Sequence, residues 1–236
     1  MKSLRVCIVI PAYNEGSVIG DVVKDIKTQL KAKKYSADVV VVNDGSKDDT
    51  AEQARKGGAK VIDHILNSGA GAATATGLSY ANQKGYDIAA TMDADGQHNA
   101  EDVLRGIKEI QSQGADLLIG SRLIDASAKD MSPLKRVGNW GLSFITMLLF
   151  GVYTSDSQSG LRLYSRKALE QLRWKTSGYE FCSEMIWRAN QLKLSIGEFP
   201  ITVIYTDYSK AKGQNNWNGV NILKSLVRRR LVEIFE

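Results

Sequence analysis

The chain has 236 residues, of which 43% are apolar and 24% charged, and its formal net charge is +5. This composition excludes the disordered, collagen-like and low-complexity classes. Two cysteines exclude a disulfide framework, and with two histidines and no CxxC pair the chain does not predict a zinc site. We expect Cys7 and Cys182 to be buried thiols of a protein in a reducing compartment.

The basic excess is mild, and we expect no nucleic-acid partner. It is concentrated after residue 205, where it fits either a solvated helix face or an anionic membrane surface. No apolar run reaches the roughly 18–20 residues that span a bilayer, and no secretory leader is recognisable. We therefore expect a cytoplasmic protein, peripheral at the cytosolic face of a membrane.

Short β-branched runs alternate with helix-compatible stretches over the first 120 residues. The predicted strands are 5–10, 38–43, 60–65, 88–92 and 116–119, and the predicted helices are 17–33, 47–56, 71–84 and 100–113. Continuous apolar strands separated by helices predict a parallel sheet covered on both faces. Ser46 and Asn99 are expected to cap two of the helices, because acidic residues follow each of them.

The alternation ends after residue 122. The later predictions are a loop at 124–133, one or two helices at 134–152, a strand at 161–164, a helix at 182–192, a strand at 196–205 and a loop at 210–218. Apolar residues recur every three or four positions in the tail, which predicts an amphipathic helix: Val220, Leu223, Val227, Leu231 and Ile234. We predict one α/β domain over residues 1–213 and a C-terminal amphipathic basic helix over 214–236, as part of an α-rich C-terminal extension.

Ligands of open α/β sheets bind beyond the carboxyl ends of the strands, where this chain has its motifs. PAYNE at 11–15 follows the first strand in place of GxGxxG, which disfavours a dinucleotide oxidoreductase. NDGS at 43–46 follows the second strand and is also an ordinary turn sequence. The glycine loop Gly69-Ala70-Gly71 fits either a phosphate cradle of backbone amides or a turn that packs a helix on the sheet.

Asp93 and Asp95, in DADGQH, directly follow the fourth strand. Residues i and i+2 at a strand end point the same way, so their carboxylates repel each other unless a cation lies between them. Oxygen ligands suit Mg²⁺ or Mn²⁺, and such an ion would stabilise a diphosphate leaving group. We expect His98 to be a surface-loop histidine with no catalytic role.

Arginines occur in GSR at 120–122, at Arg136 and at the end of DSQSGLR at 156–162. Their guanidinium groups match phosphate oxygens, although each alone also fits a surface or salt-bridged residue. Their clustering after strand ends favours an anion-binding role.

In this order and spacing, PAYNE, VVNDGSKDDT, NSGAGAA, MDADGQH, GSR and DSQSGLR resemble the family 2 glycosyltransferases over about residues 4–213. Within that family the chain most resembles polyprenol-phosphate sugar transferases of the dolichol-phosphate mannosyltransferase type. The resemblance implies the Rossmann-like GT-A fold, a mixed and mostly parallel sheet with helices on both faces. It also implies inverting transfer of a sugar from a nucleotide diphosphate to a polyprenyl or dolichyl phosphate, assisted by Mg²⁺ or Mn²⁺.

The resemblance assigns residues to the nucleotide sugar (Pro11, Tyr13, Glu15, Asp44, Gly71 and Asp93), to the metal (Asp93, Asp95 and Gln97) and to the acceptor phosphate (Arg122, Arg136 and Lys210). Catalytic roles fall to Asp95, Arg122 and Glu184. Glu184 is the best match to the family's acidic base, and a structural helix glutamate is the alternative. Ala70 departs from the family, which usually has a lysine there, and the loop from Lys210 lacks the usual Ser-Lys.

Several points stay open in the sequence. GDP-mannose and UDP-glucose types of donor both fit, and the acceptor could instead be a sugar, peptide or polysaccharide. The implied partners are a nucleotide sugar, a polyprenyl phosphate lipid and a membrane surface, with a membrane partner protein as an open alternative. A non-catalytic nucleotide-binding protein on the same fold is disfavoured by the presence of both Asp93 and Asp95.

Overall fold

The computed structural model describes residues 4–33, 35–124, 133–204, 224–228 and 230. Their elements, in chain order, are β1 Arg5–Ala12, α1 Gly16–Ala32, β2 Ser36–Asn43, α2 Thr50–Gly57, β3 Lys60–Asp63, α3 Ala70–Gln83, β4 Ile88–Thr91, α4 Ala100–Gln113, β5 Leu117–Ser121, α5 Pro133–Phe150, β6 Arg162–Ser165, α6 Arg166–Gln171, α7 Phe181–Gln191 and β7 Ile196–Pro200. Residues 224–228 are also helical.

The strands of the described residues form one seven-stranded sheet in the order β3-β2-β1-β4-β6-β5-β7. β1 pairs in parallel with β2 and β4, β2 with β3, and β5 with β7. β6 lies between β4 and β5 and is antiparallel to both. The predicted mixed, mostly parallel sheet is therefore confirmed, and the carboxyl ends of β1 to β4 lie at one edge.

Side chains of β1 alternate between two cores, one on each face of the sheet. Ile8 and Ile10 pack with buried residues of α1 and α4, whereas Cys7 and Val9 pack with buried residues of α3 and α7. Burying an aliphatic side chain of this size stabilises a fold by about 1.5–3 kcal/mol. The predicted helices on both faces are confirmed, and they hold the strand ends at fixed positions.

Several element boundaries differ from the predictions. β3 ends at Asp63, and Ile65 beyond it is 97% exposed, because the chain turns away from the sheet before the apolar run ends. β7 likewise ends at Pro200 instead of residue 205. The predicted helices at 134–152 are the single helix α5. Most of the predicted loop at 124–133, and all of that at 210–218, lie outside the described residues.

One of the two predicted helix caps is confirmed. The Asn99 side chain accepts a hydrogen bond from the backbone N–H of Glu101. The cap at Ser46 is wrong, because α2 begins at Thr50 and the Ser46 hydroxyl instead accepts the N–H of Asn14. Ser46 thus joins the loops that follow β1 and β2.

The described part of the tail packs on α5 and α7. Leu226 is 1% exposed and lies in a cluster with Phe150 and Trp187. Val227, which the sequence places on the apolar face of the amphipathic helix, is 40% exposed, and the neighbouring Leu226 is the residue that packs on the domain. Val220, Leu223, Leu231 and Ile234 lie outside the described residues, and the division at residues 213 and 214 stays a prediction.

The buried thiols give a direct test of the core. Burial raises the pKa of Cys7 to about 12, and it also raises the pKa of Cys182. Because the thiolate is the reactive form, we expect neither thiol of the native protein to react with dithiobis-nitrobenzoate at pH 8. Both should react once guanidinium chloride unfolds the chain. Reaction of either thiol without loss of circular dichroism would contradict this burial.

Candidate active site at the carboxyl edge of the sheet

The DADGQH segment forms a tight turn after β4. Asp93 Oδ2 lies 3.0 Å from His98 Nε2, and Asp95 Oδ1 accepts the N–H of Gln97 at 3.0 Å. Gly96 has a φ of 76°, a left-handed conformation that glycine adopts without strain. His98 is buried, so the expected surface position is wrong, and the imidazole instead orients the Asp93 carboxylate.

The two carboxylates differ in acidity. Desolvation raises the pKa of Asp93, but the hydrogen bond and charge of His98, with the charges of Arg122 and Arg162, hold that pKa below its usual range. Desolvation and the negative charge of Asp93 raise the pKa of Asp95 above its usual range. The two side chains therefore repel each other as predicted, and a cation between them would relieve the repulsion.

The oxygen donors fit a hard divalent cation. Asp93 Oδ1 and Asp95 Oδ2 accept no hydrogen bond from the described residues. Within that part of the chain, no group of three or more acidic, histidine or cysteine side chains could hold a metal ion. Mg²⁺ commonly takes one or two carboxylates from a protein and its other ligands from water and substrate phosphates, which suits this pair.

Arg122 is held at the end of β5 by a buried carboxylate. Its Nε and Nη2 donate to Asp156 Oδ2 and Oδ1 at 2.6 and 2.8 Å, and Asp156 is fully buried. Burial raises the pKa of Asp156, but the charge and hydrogen bonds of Arg122, with the charge of Arg162, hold that pKa below its usual range. The bidentate pair fixes the guanidinium plane. Sequence reasoning missed this role of Asp156.

Arg162 does not belong to the anion-binding cluster that the sequence favoured. It is 1% exposed and donates to the carbonyl oxygens of Ser157, Ser159 and Cys182 at 2.6, 2.9 and 2.9 Å. Its role is to hold the DSQSGLR segment. A methyl group at Gly160 would overlap the Asp93 carboxylate, so this segment lies directly against the acidic turn.

Hydrogen bonds join the PAYNE segment to the VVNDGSKDDT segment at 41–50. The Glu15 N–H donates to Thr50 Oγ1 at 2.8 Å, and Asn14 Oδ1 accepts the N–H of Lys47 at 2.9 Å. Glu15 is buried, whereas Tyr13 is 39% exposed. Pro11 lies near the end of β1, paired with Val42 of β2. Their roles toward the nucleotide stay predictions.

Asp44 is buried beneath the glycine loop. It accepts the N–H groups of Ser68 and Gly69 at 2.9 and 2.8 Å, and His64 Nδ1 lies 2.7 Å from its Oδ1. The Gly71 N–H donates to Ser177 O at 2.7 Å. These loop amides are therefore bonded to protein oxygens, which supports the packing turn and argues against the phosphate cradle. Sequence reasoning also missed His64.

Glu184, the residue predicted as a base, lies in the first turn of α7 and is 0% exposed. Its carboxylate accepts the N–H groups of Lys175 and Thr176 and the Thr176 hydroxyl, the last two at 2.9 and 2.7 Å. The Arg188 guanidinium lies 3.6 Å away. A base must reach the substrate, so this burial argues against the predicted catalytic role.

An apolar groove adjoins the Arg122–Asp156 pair. It encloses about 270 Å³ and is lined by Leu123, Arg136, Val137, Trp140, Tyr153 and Ser155. Along α5, four large side chains are exposed on one side: Val137, Trp140, Phe144 and Leu148. No helix of the described residues has the length and apolar character to cross a bilayer. Lys210 lies outside the described residues.

Comparison with known proteins identifies the family to which this chain belongs. The model of the family described as Glycosyl transferase family 2 matches residues 7–173. The UDP-N-acetylglucosamine–dolichyl-phosphate N-acetylglucosaminyltransferase of Methanococcus voltae is 40% identical, over 100% of each chain. The polyprenol monophosphomannose synthase of Mycolicibacterium smegmatis is 30% identical, over 95% of this chain and 85% of that one.

The fold agrees with this assignment. Glucosyl-3-phosphoglycerate synthase of Mycobacterium tuberculosis, solved with Mn²⁺, UDP and glucosyl-3-phosphoglycerate, superimposes with a TM-score of 0.68 at 17% identity. The match covers 98% of this chain and 79% of that one. The GT-A fold implied by the sequence is thereby confirmed. The chain belongs to glycosyltransferase family 2 and is a glycosyltransferase.

Proposed function

We propose that this glycosyltransferase transfers a sugar, with inversion at the anomeric carbon, from a nucleotide diphosphate to a polyprenyl or dolichyl phosphate. The observation that carries the proposal is the contact between two sites at one edge of the sheet. Gly160 lies against the Asp93 carboxylate, and the same segment supplies Asp156, which holds Arg122 beside the apolar groove. An acidic metal site for a donor thus adjoins an apolar groove with arginines for an acceptor.

The transition state of such a transfer places positive charge on the sugar and negative charge on the departing diphosphate. Asp93 and Asp95, with Gln97 as a further neighbour, would hold Mg²⁺ or Mn²⁺, which when bound neutralises charge on the diphosphate. His98 keeps the Asp93 carboxylate in one orientation. Pro11, Tyr13, Glu15 and Asp44 would shape the nucleotide pocket, Asp44 from beneath the glycine loop.

The acceptor side needs cations more than it needs a base. A phosphate monoester has its second pKa at about 6 and is largely ionised at neutral pH. Arg122 and Arg136 would bring this anion close to the sugar, aligned for attack. Lys210 would contribute a further positive charge. The burial of Glu184 is consistent with an acceptor that needs no general base.

A lipid acceptor implies contact with a membrane, and we propose that α5 makes it at the cytosolic face. Trp140 and Phe144 are stacked 5.6 Å apart and exposed, next to Leu148, which is 72% exposed. Aromatic and aliphatic side chains of this kind insert into the interface of a bilayer. The groove at the start of α5 would then receive the phosphate end of the lipid.

Leu148→Glu tests this contact. We expect it to lower turnover about tenfold or more for a polyprenyl phosphate embedded in vesicles, since burying a leucine is worth about 1.5–3 kcal/mol. Turnover of a short, water-soluble polyprenyl phosphate should stay unchanged. Leu192→Glu, at an exposed leucine beyond α7, is the matched control. Equal losses with both acceptors would contradict the membrane contact.

The acceptor class is tested by organic-phase extraction. The purified protein is incubated with polyprenyl phosphate, Mg²⁺ or Mn²⁺, and labelled UDP-N-acetylglucosamine, UDP-glucose or GDP-mannose in separate reactions. Label in the organic phase with one donor, absent without acceptor, is the expected result. Label that reaches a sugar, peptide or polysaccharide but never the organic phase would overturn the lipid acceptor and favour the alternative acceptors.

A further inference from the structure

We propose that Glu184 is a positioning residue of the nucleotide-sugar site, acting through the loop at residues 174–178. This inference rests on the proposed function in that it takes the glycine loop to border the donor. Glu184 lies in the first turn of α7 and, through this connecting loop, sets the position of the glycine loop on the far side. It touches no substrate itself.

The first step is that Glu184 fixes the connecting loop, residues 174–178, by hydrogen bonds. The carboxylate is fully buried and accepts hydrogen bonds from two consecutive backbone amides, those of Lys175 and Thr176, and from the Thr176 hydroxyl. A carboxylate accepts at both oxygens, whereas a glutamine accepts at one and presents an N–H₂ at the other. All three donors reach Oε2, so a glutamine oxygen at that position still accepts them. It lacks the negative charge, which strengthens these hydrogen bonds and faces the Arg188 guanidinium 3.6 Å away.

The second step is the contact between the connecting loop and the glycine loop. Ser177 O accepts the Gly71 N–H at 2.7 Å, and the Trp174 indole N–H donates to Gly71 O at 3.2 Å. A methyl group at Gly71 would lie 2.6 Å from Thr176 O, and one at Gly69 would overlap Ser177 O. The glycines are thus required by the close approach of the connecting loop.

The third step concerns the opposite side of the glycine loop, where the buried carboxylate of Asp44 binds the backbone. Asp44 accepts the N–H groups of Ser68 and Gly69, while the connecting loop bonds Gly71 in the first turn of α3. The glycine loop is therefore fixed between Asp44, beneath it at the end of β2, and the connecting loop, which Glu184 anchors. Release of either side frees the loop that leads into α3.

Two variants test this inference in the full chain. Glu184→Gln neutralises the carboxylate at nearly constant volume, and Thr176→Ala removes a single hydrogen bond to it. Thr28→Ala is the matched control, because it removes a comparable hydroxyl hydrogen bond, to Lys24 O at 2.8 Å, at an exposed position of α1. Affinities for UDP and GDP with Mg²⁺ are measured by calorimetry well below the unfolding midpoint of each variant.

We expect Thr176→Ala to weaken nucleotide binding about two- to tenfold, as for the loss of one hydrogen bond. Glu184→Gln should weaken it further, with kcat at saturating donor little changed, and Thr28→Ala should bind like the wild type. If Glu184→Gln does not fold, the comparison of Thr176→Ala with Thr28→Ala decides.

Two results would overturn the proposal. A fall in kcat of about a hundredfold with unchanged nucleotide affinity would make Glu184 a general base. A lower unfolding midpoint with unchanged affinity and unchanged kcat would make its role structural alone. A wild-type protein that binds neither nucleotide would instead refute the donor site of the proposed function, so the two failures are distinguishable.

Discussion

Asp95→Asn is expected to lower kcat by about 10²–10³-fold, the loss seen when one group that stabilises transition-state charge is removed. The substitution removes the charge and keeps the shape of the side chain. Desolvation and the charge of Asp93 raise the pKa of Asp95. The ionised Asp95 therefore lowers the free energy of unfolding of the wild-type protein. The variant should therefore be at least as stable as the wild type, while the affinity for Mg²⁺ or Mn²⁺ falls.

The measurement is a titration of turnover with Mg²⁺ and with Mn²⁺ at saturating nucleotide sugar. Asp25→Asn, at an exposed position on α1, removes a charge far from the strand ends and should titrate like the wild type. Unchanged turnover and unchanged metal dependence in Asp95→Asn would show that the acidic turn neither binds the metal nor takes part in catalysis.

The acidic turn was predictable because its information is local. Two aspartates two residues apart, directly after an apolar strand, face the same way, and the structure has them at the predicted strand end. The parallel strands were predictable for a similar reason, since their apolar runs are continuous. The insertion of β6 between β4 and β5 was not, because strand order has no signature in a run of four residues.

The glycine loop shows where local information ends. Its sequence fits a phosphate cradle and a packing turn equally well. The choice depends on Ser177, about a hundred residues further along the chain, whose carbonyl bonds the Gly71 N–H. The same holds for Glu184, whose neighbours in sequence do not show that its carboxylate accepts the amides of Lys175 and Thr176. A backbone contact about a hundred residues away decided the role of Gly71, and contacts with Lys175 and Thr176, in the loop before α7, decided that of Glu184.

The second substitution with a large expected effect breaks the ion pair between Arg122 and Asp156. Arg122→Ala would leave a fully buried carboxylate unpaired, and breaking a buried ion pair in this way costs about 3–5 kcal/mol of folding free energy. Arg122→Lys keeps the charge and loses the bidentate geometry. We expect the lysine variant to fold, to raise the KM for polyprenyl phosphate or lower kcat, and to bind the nucleotide sugar as the wild type does.

The pH dependence of stability distinguishes the contribution of the Arg122–Asp156 pair to folding from its role toward the acceptor. The pKa of Asp156 is lower in the folded chain than in the unfolded chain. Its contribution to stability is therefore present above the unfolded value, about 3.9, and is lost as the pH falls through the folded value. Asp156→Asn should be less stable at neutral pH and should lose less stability on acidification below about pH 4.

Urea unfolding between pH 3 and 7 measures the contribution of the Asp156 carboxylate to the free energy of unfolding. Calorimetry with the nucleotide measures donor binding by the wild type, Arg122→Lys and Asp156→Asn. If Arg122→Lys lost nucleotide affinity while its acceptor KM stayed constant, Arg122 would belong to the donor side. With the expected result, the guanidinium that Asp156 holds at the end of β5 faces the acceptor phosphate. A single buried carboxylate would then link the stability of the sheet edge to the position of the group that receives the lipid.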